Sequence, residues 1–144
     1  MIEWFKTISK DGKQQVYDPV RQRFVALTPE ERVRQCTLKM LVEQVLVPKG
    51  LIAVEYSIKV NKLDKRCDIV VFDRGGNPLV IVECKAASVT ISEKVLDQAV
   101  RYYSALKPKY IILTNGAELY CFKITPNGIE NPGKIPSYEE MTEE

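Results

Sequence analysis

The chain of 144 residues contains no histidine. That excludes a Ser–His–Asp triad and removes the commonest zinc ligand. The four cysteines, Cys36, Cys67, Cys84 and Cys121, make no C-x-x-C pair, which argues further against zinc. They read as free thiols in a reducing cytoplasm, mostly in the core. No stretch approaches the roughly 18 apolar residues of a membrane span. The start, Met1 to Lys6, lacks the apolar run of a signal peptide. The expectation is therefore a cytoplasmic protein with no membrane partner. Neither sign of charge dominates, with 21 basic and 19 acidic residues for a net +2. That balance neither demands nor excludes a nucleic acid, which would need the basic residues gathered on one face.

What is present suits one domain, 1–144, without internal repeat or linker. A hydrophobic content of 45% supports a core, and 28% charged residues argues against disorder. Residues 1–27, with a possible strand over Arg23–Leu27, read as an N-terminal arm or hairpin. Thr28-Pro29-Glu30-Glu31 is a helix start, with Thr28 at the N-cap, Pro29 at the first position and Glu31 at the third. Val33, Leu38, Leu41, Val42 and Val45 supply an apolar helical face, and Pro48-Lys49-Gly50 ends it.

Strands are expected at Val54–Val60, Asp68–Phe72 and Leu79–Lys85, the last inside the sheet and covered on both faces. Asp73–Pro78 makes the turn between the second and third. Thr90 and Glu93 suggest a second capping box, opening a helix to about Leu106 with Val95, Ala99, Tyr102 and Leu106 on one side. Tyr110–Thr114 is another buried strand, and Asn115-Gly116 turns the chain into Glu118–Ile124. The tail 132–144 reads as loose. The order is α-β-β-β-α-β-β, an α/β fold with a mixed β-sheet flanked by helices.

Glu83 and Lys85 stand two apart on one strand and share a face, while Val82 and Cys84 share the other. Asp68 opens the preceding strand, so a hairpin through 73–78 brings it beside them. Two carboxylates and an ammonium at a sheet end suit a hard divalent cation with oxygen ligands. Such a cation can polarise a phosphate and acidify a bound water, with Lys85 orienting that water or stabilising charge. The bland alternative is a salt bridge, because a short Asp … Glu-x-Lys match has a high false-positive risk. Lys59, Lys62, Lys65, Arg66, Lys94 and Arg101 cluster nearby and could hold DNA phosphates without reading bases. For Lys59 and Lys62 a solvated face is the competing reading. Tyr102 and Tyr103 could stack on bases, although helical spacing puts Tyr102 toward the core.

These stretches resemble the PD-(D/E)xK nuclease superfamily. More closely, they resemble the N-terminal nuclease domain of type I restriction enzyme R subunits in a short stand-alone form. The stretches are Ala26–Gln35, Asp68–Val71, Ile81–Ala86, Gln98–Tyr102 and Leu113–Gly116. The resemblance implies a restriction-endonuclease-like core and Mg²⁺-dependent DNA cleavage, with Mn²⁺ as a substitute. It implies metal ligands at Asp68 and Glu83, a backbone carbonyl at Cys84, and a catalytic Lys85. Cys67 stands where a proline is usual, and Arg32 where a tryptophan is expected. A glutamate on the first helix should join the metal. Glu31 competes as the capping-box residue, whereas Glu30 stands four before Arg34 and matches the family spacing. Gln98 would face the metal, against the alternative of an exposed helix glutamine. Arg34, Lys65, Arg66, Lys94 and Arg101 would contact DNA. Other restriction-system subunits or a homodimer are the implied partners, since 144 residues cannot also hold motor and specificity parts. The competing expectation is a non-catalytic module that keeps the fold to bind nucleic acid or a partner protein.

Overall fold

The computed structural model describes residues 1–143, with the side chain of Tyr102 outside the described part. Three strands, β1 (Thr7–Lys10), β2 (Lys13–Asp18) and β3 (Arg23–Ala26), form an antiparallel sheet of their own. Helix α1 (Pro29–Glu43) follows. A second sheet runs in the order β4 (Ile52–Val60), β5 (Leu63–Phe72), β6 (Pro78–Cys84), β7 (Tyr110–Thr114), β8 (Leu119–Thr125) and β9 (Gly128–Glu130). Helix α2 (Glu93–Tyr103) links β6 to β7, the parallel pair in an otherwise antiparallel sheet. Such a parallel crossover needs an intervening element of about this length. Helix α3 (Tyr138–Thr142) closes the described chain.

The central strands β6 and β7 are apolar because both faces are covered. Val80, Val82 and Cys84 pack with Val33, Leu38 and Leu41 of α1 and with Tyr138 and Met141 of α3. Ile81, Ile111 and Leu113 pack with Ala99 and Tyr103 of α2. The mixed sheet between helices and the element order from α1 to β8 agree with the sequence reading. No helix among the described residues is long and apolar enough to cross a membrane.

Several expectations are corrected. The N-terminal region is a three-stranded sheet, anchored by Val16, which is buried, and by Trp4 and Val20 against the α1-side core. The tail expected to be loose holds α3, whose Tyr138 and Met141 are fully buried. Its Ser137–Glu140 capping box is complete, and the Tyr138 hydroxyl donates to the Phe72 carbonyl at 2.9 Å. Helix α2 is capped by Ser92, not Thr90, and passes into a single 3-10 turn after Tyr103. Strand β5 begins at Leu63, so Asp68 lies inside the strand and does not open it.

That interior position matters because the pleat slips there. On β5, Ile69 and Val71 face α1, yet Cys67 and Val70 both face α2. On β4, Ile52 and Val54 face α1, whereas Ile58 and Val60 face α2. Regular alternation would keep Ile52, Val54, Ile58 and Val60 on one face, and would put Cys67 with Ile69 and Val71, opposite Val70. The ladder pairs Val54 with Ile69 and Tyr56 with Cys67, stepping over Glu55 and Asp68. Glu55 has φ 54°, in the left-handed region. For a residue with a Cβ that conformation costs about 1–2 kcal/mol, so neighbouring contacts must hold it.

Candidate active site

The register of β5 on β6 pairs Ile69 with Val82, and the next residue, Asp68, reaches β6 through its side chain. Asp68 Oδ2 accepts the Cys84 amide at 2.8 Å. Its Oδ1 accepts from Arg34 of α1, also at 2.8 Å. Glu83 Oε1 pairs with Lys85 Nζ at 2.8 Å, as their shared strand face requires. The buried Tyr103 hydroxyl donates to Glu83 Oε2 at 3.4 Å.

Arg34 is buried and gathers three carboxylates: Glu31 at 2.6 Å, Asp68 at 2.8 Å and Glu30 at 3.2 Å. Hydrogen bonds to Asp68 and Glu31 raise its already high pKa. Arg34 is therefore committed inside the protein, in contrast to the DNA contact expected of it. Glu31 also departs from expectation. Its amide donates to the Thr28 hydroxyl at 3.0 Å, confirming the N-cap. Its side chain, however, does not fold back to the cap. It lies buried between Arg34, Arg21 at 2.7 Å and Gln35 at 3.0 Å.

Glu30 is about half exposed and is paired with Arg34. Burial, followed by the adjacent Asp68 charge, raises its carboxyl above the ordinary glutamate range. Lys85 is pushed up by its hydrogen bond to Glu83, with Asp68 and Glu30 adding to the effect. Four of the expected site residues thus share one electrostatic environment. Cys84 turns its thiol into the core toward Thr37, and burial pushes that thiol well up. Only its backbone carbonyl could serve a cation. The buried Cys67, under Asp68 and Glu83, is pushed up to about 12 by burial.

A cleft of about 230 Å³ is lined by Glu83, Lys85, Gln98, Tyr103, Lys65 and Arg66. Lys94 and Arg101 are exposed on α2. At helical spacing they share a face with Gln98. A larger apolar groove of about 540 Å³ lies between Val33, Cys36 and Gly116. Its one charged lining residue is Arg32 and it contains no carboxylate, so the smaller, polar cleft is the chemically relevant one. Sequence reasoning missed Tyr103 as a partner of Glu83 and Arg21 as a partner of Glu31. The first had a weak signal in the tyrosine pair ending α2; the second had none.

In kind, the carboxylates of Asp68, Glu83 and Glu30 and the Cys84 carbonyl are donors a hard cation prefers. The Asp68 charge, which adds to burial in raising Glu30, is charge such a cation neutralises. Among the described residues, no three His, Cys, Asp or Glu side chains are grouped closely enough to hold a metal. Arg34 and Lys85 instead stand as counter-cations to Asp68 and Glu83.

The fold resembles a solved fragment assigned as an HsdR subunit of a type I restriction enzyme from Vibrio vulnificus YJ016. The TM-score is 0.59 at 23% identity, covering 80% of this chain and 24% of that one. The chain thus spans about a quarter of that relative's length. No curated protein matches significantly. The family model described as type I restriction enzyme R protein N terminus matches residues 29–136, and the chain belongs to this family.

Proposed function

We propose that this chain carries a PD-(D/E)xK-type nuclease site that hydrolyses DNA phosphodiester bonds with Mg²⁺, for which Mn²⁺ can substitute. One observation carries the reading: Asp68 accepts the Cys84 amide at 2.8 Å, between Glu83 and Lys85, which pair with each other at 2.8 Å. The α-β-β-β-α-β-β order from α1 to β8 supports a restriction-endonuclease-like core.

Once Asp68 and Glu83 exchange Arg34 and Lys85 for the cation, these two carboxylates, Glu30 and the Cys84 carbonyl would hold it. When bound, it supplies a Lewis acid for a phosphate oxygen and a more acidic water. Lys85, raised by Glu83, is protonated at neutral pH. It therefore serves as a cation toward phosphate charge or a donor that orients water, not as a general base. Tyr103 holds Glu83 in place through its hydroxyl. Gln98, at the cleft, faces the scissile group in this reading. Lys65, Arg66, Lys94 and Arg101 would hold the flanking phosphates, so binding should weaken steeply with salt. Other restriction-system subunits or a second copy of the chain are the partners that fit this family.

A second reading, a non-catalytic DNA- or partner-binding module, is favoured by one observation. Asp68 and Glu83 are already satisfied by Arg34 and Lys85. Cleavage of plasmid, linear and single-stranded DNA with Mg²⁺ or Mn²⁺, run beside Lys85→Ala, separates the two. Metal-dependent cleavage by the parent, lost in Lys85→Ala, supports the nuclease. Equal cleavage by both assigns the activity elsewhere. No cleavage, with no metal binding by calorimetry, selects the second reading.

A further inference from the structure

Arg21 lies in the turn between β2 and β3, before the family-matched residues 29–136. Its side chain is only 10% exposed. It binds three carboxylates from three elements: Asp18 of β2 at 2.5 Å, Glu31 of α1 at 2.7 Å and Glu55 of β4 at 2.7 Å. The turn is built to present it. The fully buried Asp18 accepts the Val20 amide at 2.7 Å and the Arg21 amide at 3.1 Å.

Two of these contacts lead to the same residue. Through Glu31, Arg21 reaches Arg34, which holds Asp68 Oδ1. Through Glu55, it grips the left-handed residue that the β4–β5 ladder steps over together with Asp68. The pleat slips at these positions, and the slip determines where the Asp68 carboxylate points. We propose that Arg21 is a positioning residue for Asp68, so that the N-terminal sheet fixes the geometry of the candidate metal site.

The chemistry requires arginine. A planar guanidinium offers five donors in a fixed fork and can serve three carboxylates at once, whereas an ammonium is a point charge. Without the fork, Glu31 draws more of Arg34, and Glu55 keeps only its exposed, longer contact with Arg66 at 3.3 Å to support its left-handed backbone. Both changes loosen Asp68. The role of Asp68 as a metal ligand rests on the nuclease reading; its positioning by Arg21 does not.

The test uses the full chain with Arg21→Lys and reads two quantities. The Cys84 amide donates to Asp68 Oδ2, so its NMR cross-peak and hydrogen exchange report the carboxylate directly. The Tyr138 amide, bonded to the Val45 carbonyl, is the control, in a residue whose hydroxyl binds Phe72 at the end of β5, away from Asp68. We expect the Cys84 peak to move and exchange faster while Tyr138 stays put. The Mn²⁺ dissociation constant should rise at least about tenfold, as for other supports of metal ligands. An unmoved Cys84 amide overturns the proposal. A parent chain that binds no Mn²⁺ overturns the nuclease reading instead, and the amide still decides on Arg21. If Arg21→Lys does not fold, Glu55→Gln removes one arm of the fork. It should shift Cys84 by a smaller amount, and no shift there overturns the proposal equally.

Discussion

The Arg34 guanidinium meets the Asp68 carboxylate at 2.8 Å, joining α1 to β5 at the point where the pleat of the sheet slips. The contact gives the half-buried Asp68 carboxylate a buried cationic partner. It also identifies what a divalent cation would compete with.

Asp68 makes two separable contributions, one through charge and one through hydrogen bonding. In Asp68→Asn an oxygen still accepts the Cys84 amide, but the charge is gone. In Asp68→Ala that amide is left without its acceptor, which costs about 1–3 kcal/mol. Urea unfolding should rank the parent above Asn and Asn above Ala. Titration calorimetry should show Mn²⁺ binding lost in both. Parent-like Mn²⁺ affinity in Asp68→Asn would remove Asp68 from the ligand set.

Glu31 is structural, and its loss should exceed that of the cap it follows. It is buried between Arg21 and Arg34, and breaking a buried ion pair costs about 3–5 kcal/mol. Thr28→Ala removes one N-cap bond, worth about 1 kcal/mol. Equilibrium unfolding of Glu31→Ala and Thr28→Ala should show that gap. Equal losses would restore Glu31 to a merely local capping role.

Val80, Val82, Ile111 and Leu113 announced the central strands because continuous apolar runs have few other uses. The two-residue spacing of Glu83 and Lys85 put them on one face by pleat alone. The ion-pair network was not legible. Arg21 is separated from Glu55 by 34 residues, and no local pattern encodes such a contact. Glu31 was misassigned because its position fits a capping box, while the buried arginines offered it a stronger partner. Helix α3 was not legible in the tail because five helical residues are too few for a periodic signal, although Ser137 and Glu140 carry a capping signature.

The C-terminal segment should be indispensable. Tyr138 is fully buried and hydrogen-bonded to β5, with Arg74 over its ring at 5.1 Å. Tyr138→Ala should cost about 3–5 kcal/mol, as for other large aromatic truncations. Deletion after Pro136 should cost at least as much, read as a lowered urea midpoint. A truncated chain with an unchanged midpoint would mean that α3 does not contribute to the core.

Lys85 should separate chemistry from stability. Its pair with Glu83 is partly exposed, with side chains 35% and 19% accessible, so it contributes only about 0–1 kcal/mol to the fold. Lys85→Met frees a Glu83 oxygen. Mn²⁺ affinity should hold or tighten, while cleavage falls by about a hundredfold or more, as when one preorganised donor is lost. A parallel loss of affinity and cleavage would make Lys85 a structural support for Glu83.

Glu30 provides a pH signature. Desolvation and the Asp68 charge outweigh the attraction of Arg34, so its folded-state pKa is raised. Between the ordinary glutamate value of about 4.3 and the raised one, the folded chain holds more protons than the unfolded chain. Stability from this group therefore falls as pH rises through that window and stays lower above it. Glu30→Gln removes the effect. The variant should have a higher urea midpoint than the parent at pH 7, and the difference should shrink as pH falls toward 4. Mn²⁺ binding must also displace the Glu30 proton. Parent affinity should therefore drop as pH falls into the window, whereas the Gln variant should bind more weakly with a flatter profile. A variant less stable than the parent at pH 7 would show that Arg34 and the positive end of α1 dominate, and that Glu30 is an ordinary first-turn carboxylate.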